Sequence, residues 1–260
     1  SAKRPRDTGT MNIHKTSPGL RLLLITAGLL ALWQAIVWLT NMPHFILPGP
    51  FRVLRALWEQ RSLIGEHALV TMAEIIMGMV LGCLLGFASA MLLQWSRSFR
   101  VWLLPVLIVS QAIPVFALAP ILMIWLGYGM ASKVVMAALV IFFPVTSACY
   151  DGLQRTSRDW LQLAQTMGAS HAQVLWQIRL PAALPSLASG LRVAATVAPI
   201  GAVIGEWVGS SSGLGYLMLH ANARMQVDTV FASLIVLASL SLLLYFSVDY
   251  VLRKLIFWTA

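Results

Sequence analysis

The chain has 260 residues, 59% of them hydrophobic and only 10% charged, whereas soluble domains carry about 25% charged residues. So little charge cannot cover a water-facing surface, and the length suits one membrane domain of several helices. A net charge of +9 argues for nucleic acid only in a soluble protein; here the charges fall between long apolar runs, and membrane topology is their cause.

Residues 1–19 are polar and basic and read as a disordered cytoplasmic tail, with Ser1 the scar of a removed Met or tag and Met11 a candidate native start. Residues 20–260 read as the membrane domain. A spanning helix takes roughly 20 apolar residues. Six runs meet or approach that length: Leu20–Thr40, Ala68–Leu93, Val101–Leu126, Lys133–Tyr150, Ser186–Gly205 and Val230–Leu252. The first is too long for a signal-peptide core and no small-residue cleavage site follows it. No alternation of period two competes with these runs, which excludes a β-barrel reading. The expectation is an all-α polytopic membrane protein with six transmembrane helices and cytoplasmic coupling helices.

Six helices put both termini on one side. That side collects Lys3, Arg4, Arg6, Lys15, Arg21, Arg97, Arg100, Arg155, Arg158, Arg179, Arg253 and Lys254, against Arg52, Arg55, Arg61, Lys133 and Arg224 opposite. The excess places both termini in the cytoplasm.

Outside, residues 41–67 carry Pro43, Pro48 and Pro50 and then the amphipathic Phe51–Trp58, an interfacial helix. In the second run, Gly78, Gly82 and Gly86 recur every four residues, a spacing that lets membrane helices approach closely. Packing within one subunit is favoured over a seam between two. Glu74 is the acid deepest in this run, and Arg192 is one possible partner. The third run is interrupted by Pro105, Pro114 and Pro120, beside Ser110 and Gln111, as a broken pathway-lining helix would be. Glu206 and Trp207 end the fifth run and open a Gly/Ser-rich outer segment; they read as an outer gate or an interfacial anchor. Candidate pathway or gate residues are therefore Glu74, Gln111, Pro114, Phe116, Glu206 and Trp207. Cys83 and Cys149 read as small core residues, and the scattered histidines offer no metal-ligand spacing, so no metal site is expected.

The longest inner connection is 151–185, and loops of that length are usually functional. Within it, Leu161, Ala164 and Met167 recur at helical spacing, and Gly168 breaks the pattern as a C-terminal glycine does. Ser170-His-Ala-Gln173 matches an S-x-x-Q capping box. Val174, Leu175 and Ile178 supply the next apolar face, and Pro181 is expected to end that helix. Two short helices joined at a glycine elbow follow.

The same residues carry a resemblance. Gly168, nine residues, Ile178, one residue, Leu180-Pro181 resembles the signature loop of ATP-binding cassette (ABC) importer permeases, in which Glu-Ala-Ala precedes the glycine by three residues. Here that triplet is Gln162-Leu163-Ala164, without the acid and the first small residue. From Leu47-Pro48 to Tyr250 the chain is similar to permeases of the nitrate, taurine and alkanesulfonate group. Within that group, Trp125–Lys133 and Ala198–Gly209 resemble permeases for hydroxymethylpyrimidine, a thiamine precursor. The resemblance implies a homodimeric pore, two ATP-binding subunits, a periplasmic or lipid-anchored binding protein and an inner-membrane location amid lipid. It implies coupling through Gln162, Ala164, Gly168, Ala169, Ser170, Ile178, Leu180 and Pro181. ATP and Mg belong to the partner ATPase, since this chain has no GxxxxGK[ST] loop; it is expected to be a transport subunit, not an enzyme, and to bind no cofactor. Taurine, alkanesulfonate or nitrate are alternative substrates. A self-sufficient secondary transporter is the alternative of another class, against which stands the lack of an internal repeat.

Overall fold

The computed structural model describes residues 18–259, and the tail expected over 1–19 lies almost wholly outside them. Eleven α-helices follow in order: α1 Pro18–Thr40, α2 Pro50–Glu59, α3 Arg61–Trp95, α4 Arg97–Ala112, α5 Val115–Leu126, α6 Met130–Gln154, α7 Arg158–Thr166, α8 His171–Gln173, α9 Leu180–Gly209, α10 Leu214–Ala223 and α11 Val227–Leu255. A widened turn, Val174–Arg179, joins α8 to α9, and a short 3₁₀ turn, Phe257–Thr259, closes the described chain. Five helical runs among the described residues are long and apolar enough to span a bilayer, and the bent pair α4–α5 brings them to six when it is counted as one span. The fold is all-α and polytopic, as expected, and the six runs read from the sequence each fall within one of these spans.

The centre is α3, α6 and α9. Their contact faces are built from the smallest residues. A Cβ at Gly78 would come within 2.5 Å of Ala137 Cβ, one at Gly82 within 2.8 Å of Ala138 O, and one at Gly86 within 2.9 Å of Phe142 O. On an adjoining face of α6, Gly190 meets Ala148 and Gly201 meets Ala137. Lipid tails are as apolar as leucine, so helices in a membrane associate through close packing rather than solvent exclusion. The glycine repeat therefore packs within one subunit, against α6.

Pro114 breaks the third run. The residue before a proline is steered out of the helical region, and Ile113 is extended (φ −83°, ψ 120°). α4 and α5 consequently meet at 103°. Pro105 and Pro120 stay inside their helices. Amphipathic α2 buries Val53 and Ala56 in a cluster with Leu214, Leu217 and Ala232.

Two expectations change. The outer segment after Glu206 is not a plain Gly/Ser loop, since it contains α10. Pro181 does not end a helix: the run from His171 continues without interruption to Gly209. Proline removes one backbone donor and crowds the carbonyl four residues earlier. The widened turn just before it, in which Leu180 N–H donates to Leu175 O, rearranges the hydrogen bonding there.

Candidate functional site

Two sites emerge, at opposite ends of the bundle. The first is the segment between α6 and α9. Ser157 caps α7 by accepting from Asp159 N–H at 3.3 Å. The helix ends in a Schellman arrangement: Ala169 N–H donates to Ala164 O (2.9 Å) and Gly168 N–H to Gln165 O (3.0 Å). Gly168 adopts φ +77°, a conformation that side chains with a Cβ resist. Ser170 then forms the full capping box: its hydroxyl accepts from Gln173 N–H (3.3 Å) and its own N–H donates to Gln173 Oε1 (2.8 Å). The chain thus turns sharply at Gly168–Ser170, between two well-capped helices.

This elbow stands out from the bundle. Gln162, Gly168, Ser170 and Pro181 are exposed; Ala164 is buried, and Ala169, Ile178 and Leu180 are half-buried. One side of the helix pair walls a cavity of about 690 Å³, lined by Leu163, Ala164, Met167, Gly168, Ile178 and Pro181 together with Trp160 and Trp258. Six of the eight coupling residues read from the sequence lie in it or on the capping box beside it; Gln162 and Leu180 line neither. Trp258, from the far end of the chain, has no signal in the local sequence pattern.

The second site lies at the other end of α3, α6 and α9. Glu74 is fully buried and Glu206 is 1% exposed. Lys133 is buried too, with Nζ 3.8 Å from Glu74 Oε1 and 3.4 Å from Tyr128 O. Thr71 Oγ1 donates to Glu206 Oε1 (2.6 Å) and accepts from Leu214 N–H (2.8 Å). Gly215 N–H donates to Glu206 Oε2, and Gly213 N–H to His67 Nδ1 (2.9 Å). Glu206 therefore satisfies an otherwise unpaired donor at the start of α10. Gly213 adopts φ +109°, and any Cβ there would collide with the Glu206 carboxyl.

The suggested Glu74–Arg192 pair does not form. Arg192 Nε binds Asp249 Oδ1 at 2.7 Å, and Asp249 Oδ2 takes Arg253 at 2.8 Å. Lys133, counted among the outer-side charges at the start of the fourth run, is Glu74's counter-charge. Glu206 is buried, so it is no interfacial anchor, whereas Trp207 beside it is 50% exposed. Gln111, Pro114 and Phe116 are exposed together at the α4–α5 elbow. Of the six pathway candidates, the structure brings Glu74 and Glu206 into one buried site with Lys133, and groups the elbow residues separately. His67, Thr71 and Glu74 were missed as a set, although they lie three or four positions apart on one helix face.

Chain comparison agrees with this architecture. A "Probable ABC transporter permease protein" of Haemophilus influenzae is 56% identical over 91% of this chain and 97% of its own length. The formylaminopyrimidine transport permease protein ThiX of Halalkalibacterium halodurans is 38% identical over 83% of this chain and 86% of its own. The inward-facing MetNI methionine ABC transporter shares the fold, with TM-score 0.66 and 19% identity over 75% of this chain and 97% of the matched chain. Residues 78–257, which hold the second half of α3, the elbow, Lys133, Glu206 and α11, match the binding-protein-dependent transport system inner membrane component family, and the chain belongs to it.

Proposed function

We propose that this chain forms the substrate pathway for hydroxymethylpyrimidine or a related small thiamine precursor, and that the Gly168 elbow transmits the motion of a separate ATPase to that pathway. As a member of its family it is a multi-pass inner-membrane permease subunit of an ABC importer, not an enzyme. Two copies line the pathway, two ATP-binding subunits bind ATP and Mg and hydrolyse it, and a periplasmic or lipid-anchored protein delivers substrate. Both termini and the 151–185 segment face the cytoplasm. Gln111, Pro114 and Phe116 at the α4–α5 break face the pathway, and Trp207 stands at its outer rim.

The observation that carries the coupling reading is the elbow: two capped helices hinged on a φ-positive glycine, over an apolar cavity of about 690 Å³. Apolar pockets of this size on otherwise exposed helices take a partner's side chains. The pyrimidine reading is supported by the resemblance of Trp125–Lys133 and Ala198–Gly209, and by the likeness to the formylaminopyrimidine permease.

Gly168→Val tests coupling. A β-branched residue at φ +77° costs about 1–3 kcal/mol, and if that strain falls on docking, ATPase affinity drops by about 5–150-fold. ATPase co-purification and substrate uptake fall together, while Gly28→Val on α1, where a Cβ meets nothing within 4 Å, changes neither. Full uptake and full ATPase retention by Gly168→Val would sink the coupling reading. The substrate is tested by ATP-dependent uptake of labelled hydroxymethylpyrimidine against labelled taurine in proteoliposomes holding the whole complex. Uptake of taurine alone overturns the pyrimidine assignment. Uptake by this chain alone, driven by an ion gradient, overturns the importer assembly.

A further inference from the structure

The face of the elbow turned away from the 690 Å³ cavity holds a second site. Where α7 and the widened turn fold back toward the end of α3, a polar cavity of about 220 Å³ opens. Its polar side chains are Gln94, Gln165, His171 and Arg179. No carboxylate lines it. Arg179 spends one N–H on Leu153 O (3.3 Å) and has no carboxylate in ion-pair reach among the described residues. An Arg with open donors and no acid beside it is a place for an anion.

This cavity adjoins an apolar one. Trp95 and Leu175 line both. The second, of about 390 Å³, runs back along α3 past Leu92, Met91 and Phe87, with Trp176 as its other wall. Trp95 to Phe87 covers two helical turns, or about 12 Å along the axis. Trp95 and Trp176 are both more than half exposed, and tryptophan favours the level of the headgroups. By that marker a basic, acid-free cavity sits at headgroup depth, beside an apolar groove that runs along α3.

We propose that this bipartite cavity binds one anionic phospholipid from the leaflet on the elbow side. The phosphate lies against Arg179, His171 and the two glutamine amides, and an acyl chain lies in the groove along α3. Amphipathic length favours a lipid over a soluble phosphate, which could use only the polar end. Basic pockets between membrane helices on the anionic leaflet are known to hold such headgroups. The occupant would wedge between the end of α3 and the elbow, touching Gln165 and His171 on the elbow itself.

The test uses the full chain in detergent, with graded delipidation and mass spectrometry of retained lipid. Phosphatidylglycerol and phosphatidylcholine with matched acyl chains are offered at equal concentration. Phosphatidylglycerol is retained preferentially, and Arg179→Gln lowers that retention by about fivefold, the loss expected for one basic group at an anionic surface. Ala88→Phe, which fills the groove from the exposed face of α3, lowers retention without touching the polar end and guards against an Arg179 variant that folds poorly. Inorganic phosphate up to millimolar concentration does not displace the lipid. Equal retention of the two lipids overturns the proposal, as does wild-type retention in both variants. Displacement by inorganic phosphate assigns the polar end to a free anion instead.

Discussion

Glu74 and Lys133 show how expensive chemistry is held inside this bundle. Both are buried, the Glu74 oxygens have no hydrogen-bond donor, and Lys133 at 3.8 Å is the cation in ion-pair reach of a carboxyl that also lies beside Glu206. Removing one partner of a buried pair costs about 3–5 kcal/mol, because the other charge is left uncompensated, whereas replacing both is often neutral. Lys133→Met is therefore expected to lower thermal stability in detergent sharply, and Lys133→Met with Glu74→Gln to recover most of the loss. If the double variant is no more stable than the single one, the pair is not what compensates Glu74. Glu206 is a different case, since Thr71 and Gly215 N–H satisfy its oxygens. Glu206→Ala is expected to free the start of α10, read as faster amide exchange over 213–217, while α7 keeps its protection. Unchanged exchange over that stretch would show that the helix holds itself. The acids were visible in the sequence, but their partners were not, because Lys133 stands 59 positions from Glu74 and Thr71 stands 135 from Glu206, and only folding brings them near.

At the scale of elements, the α3–α6 seam depends on backbone approach. Gly82 leaves 2.8 Å between a would-be Cβ and both Ala138 O and Ile141 Cβ, and neither backbone nor a β-branched carbon can swing aside. Overpacking a well-filled core costs about 1–3 kcal/mol per insertion. Gly82→Leu should thus lower the melting temperature in detergent by several degrees, while Gly28→Leu on α1, facing open space, leaves it unchanged. Equal effects would mean the glycine spacing is incidental. The i, i+4 glycine repeat was legible as a packing face, and so were the capping box at Ser170 and the stop at Gly168, because each is a local device. Pro181 misled for a physical reason. Its usual effect as a helix breaker assumes an ordinary preceding turn, and the widened Val174–Arg179 turn removes that assumption.

Over the whole molecule, the elbow and the Glu206 site sit at opposite ends of the same three helices, so an inward-facing elbow requires an outward-facing Ser212. Single cysteines at Gln165 and Ser212, in a background with Cys83 and Cys149 replaced by alanine, test this in intact cells. A membrane-impermeant maleimide is expected to label position 212 and to reach 165 only after permeabilisation. The reverse pattern would invert the topology derived from the Lys/Arg excess. Trp258 belongs to this scale as well, since the end of the chain returns to the elbow cavity after α11 has crossed the bundle.

The sequence by itself determined the solvent, the apolar runs that can cross it, their approximate limits and the hinge at Gly168, because each follows from composition, run length or a contact within a few residues. It also carried the family resemblance, through spacing that local structure preserves. Tertiary structure decided the rest: that Lys133 rather than Arg192 faces Glu74, that Glu206 turns inward to cap α10, that α4 and α5 fold back at 103°, and that a polar cavity meets an apolar groove behind the elbow. These all depend on which helix faces which, and in a membrane, where every outer surface is apolar, hydrophobic pattern alone does not choose the face.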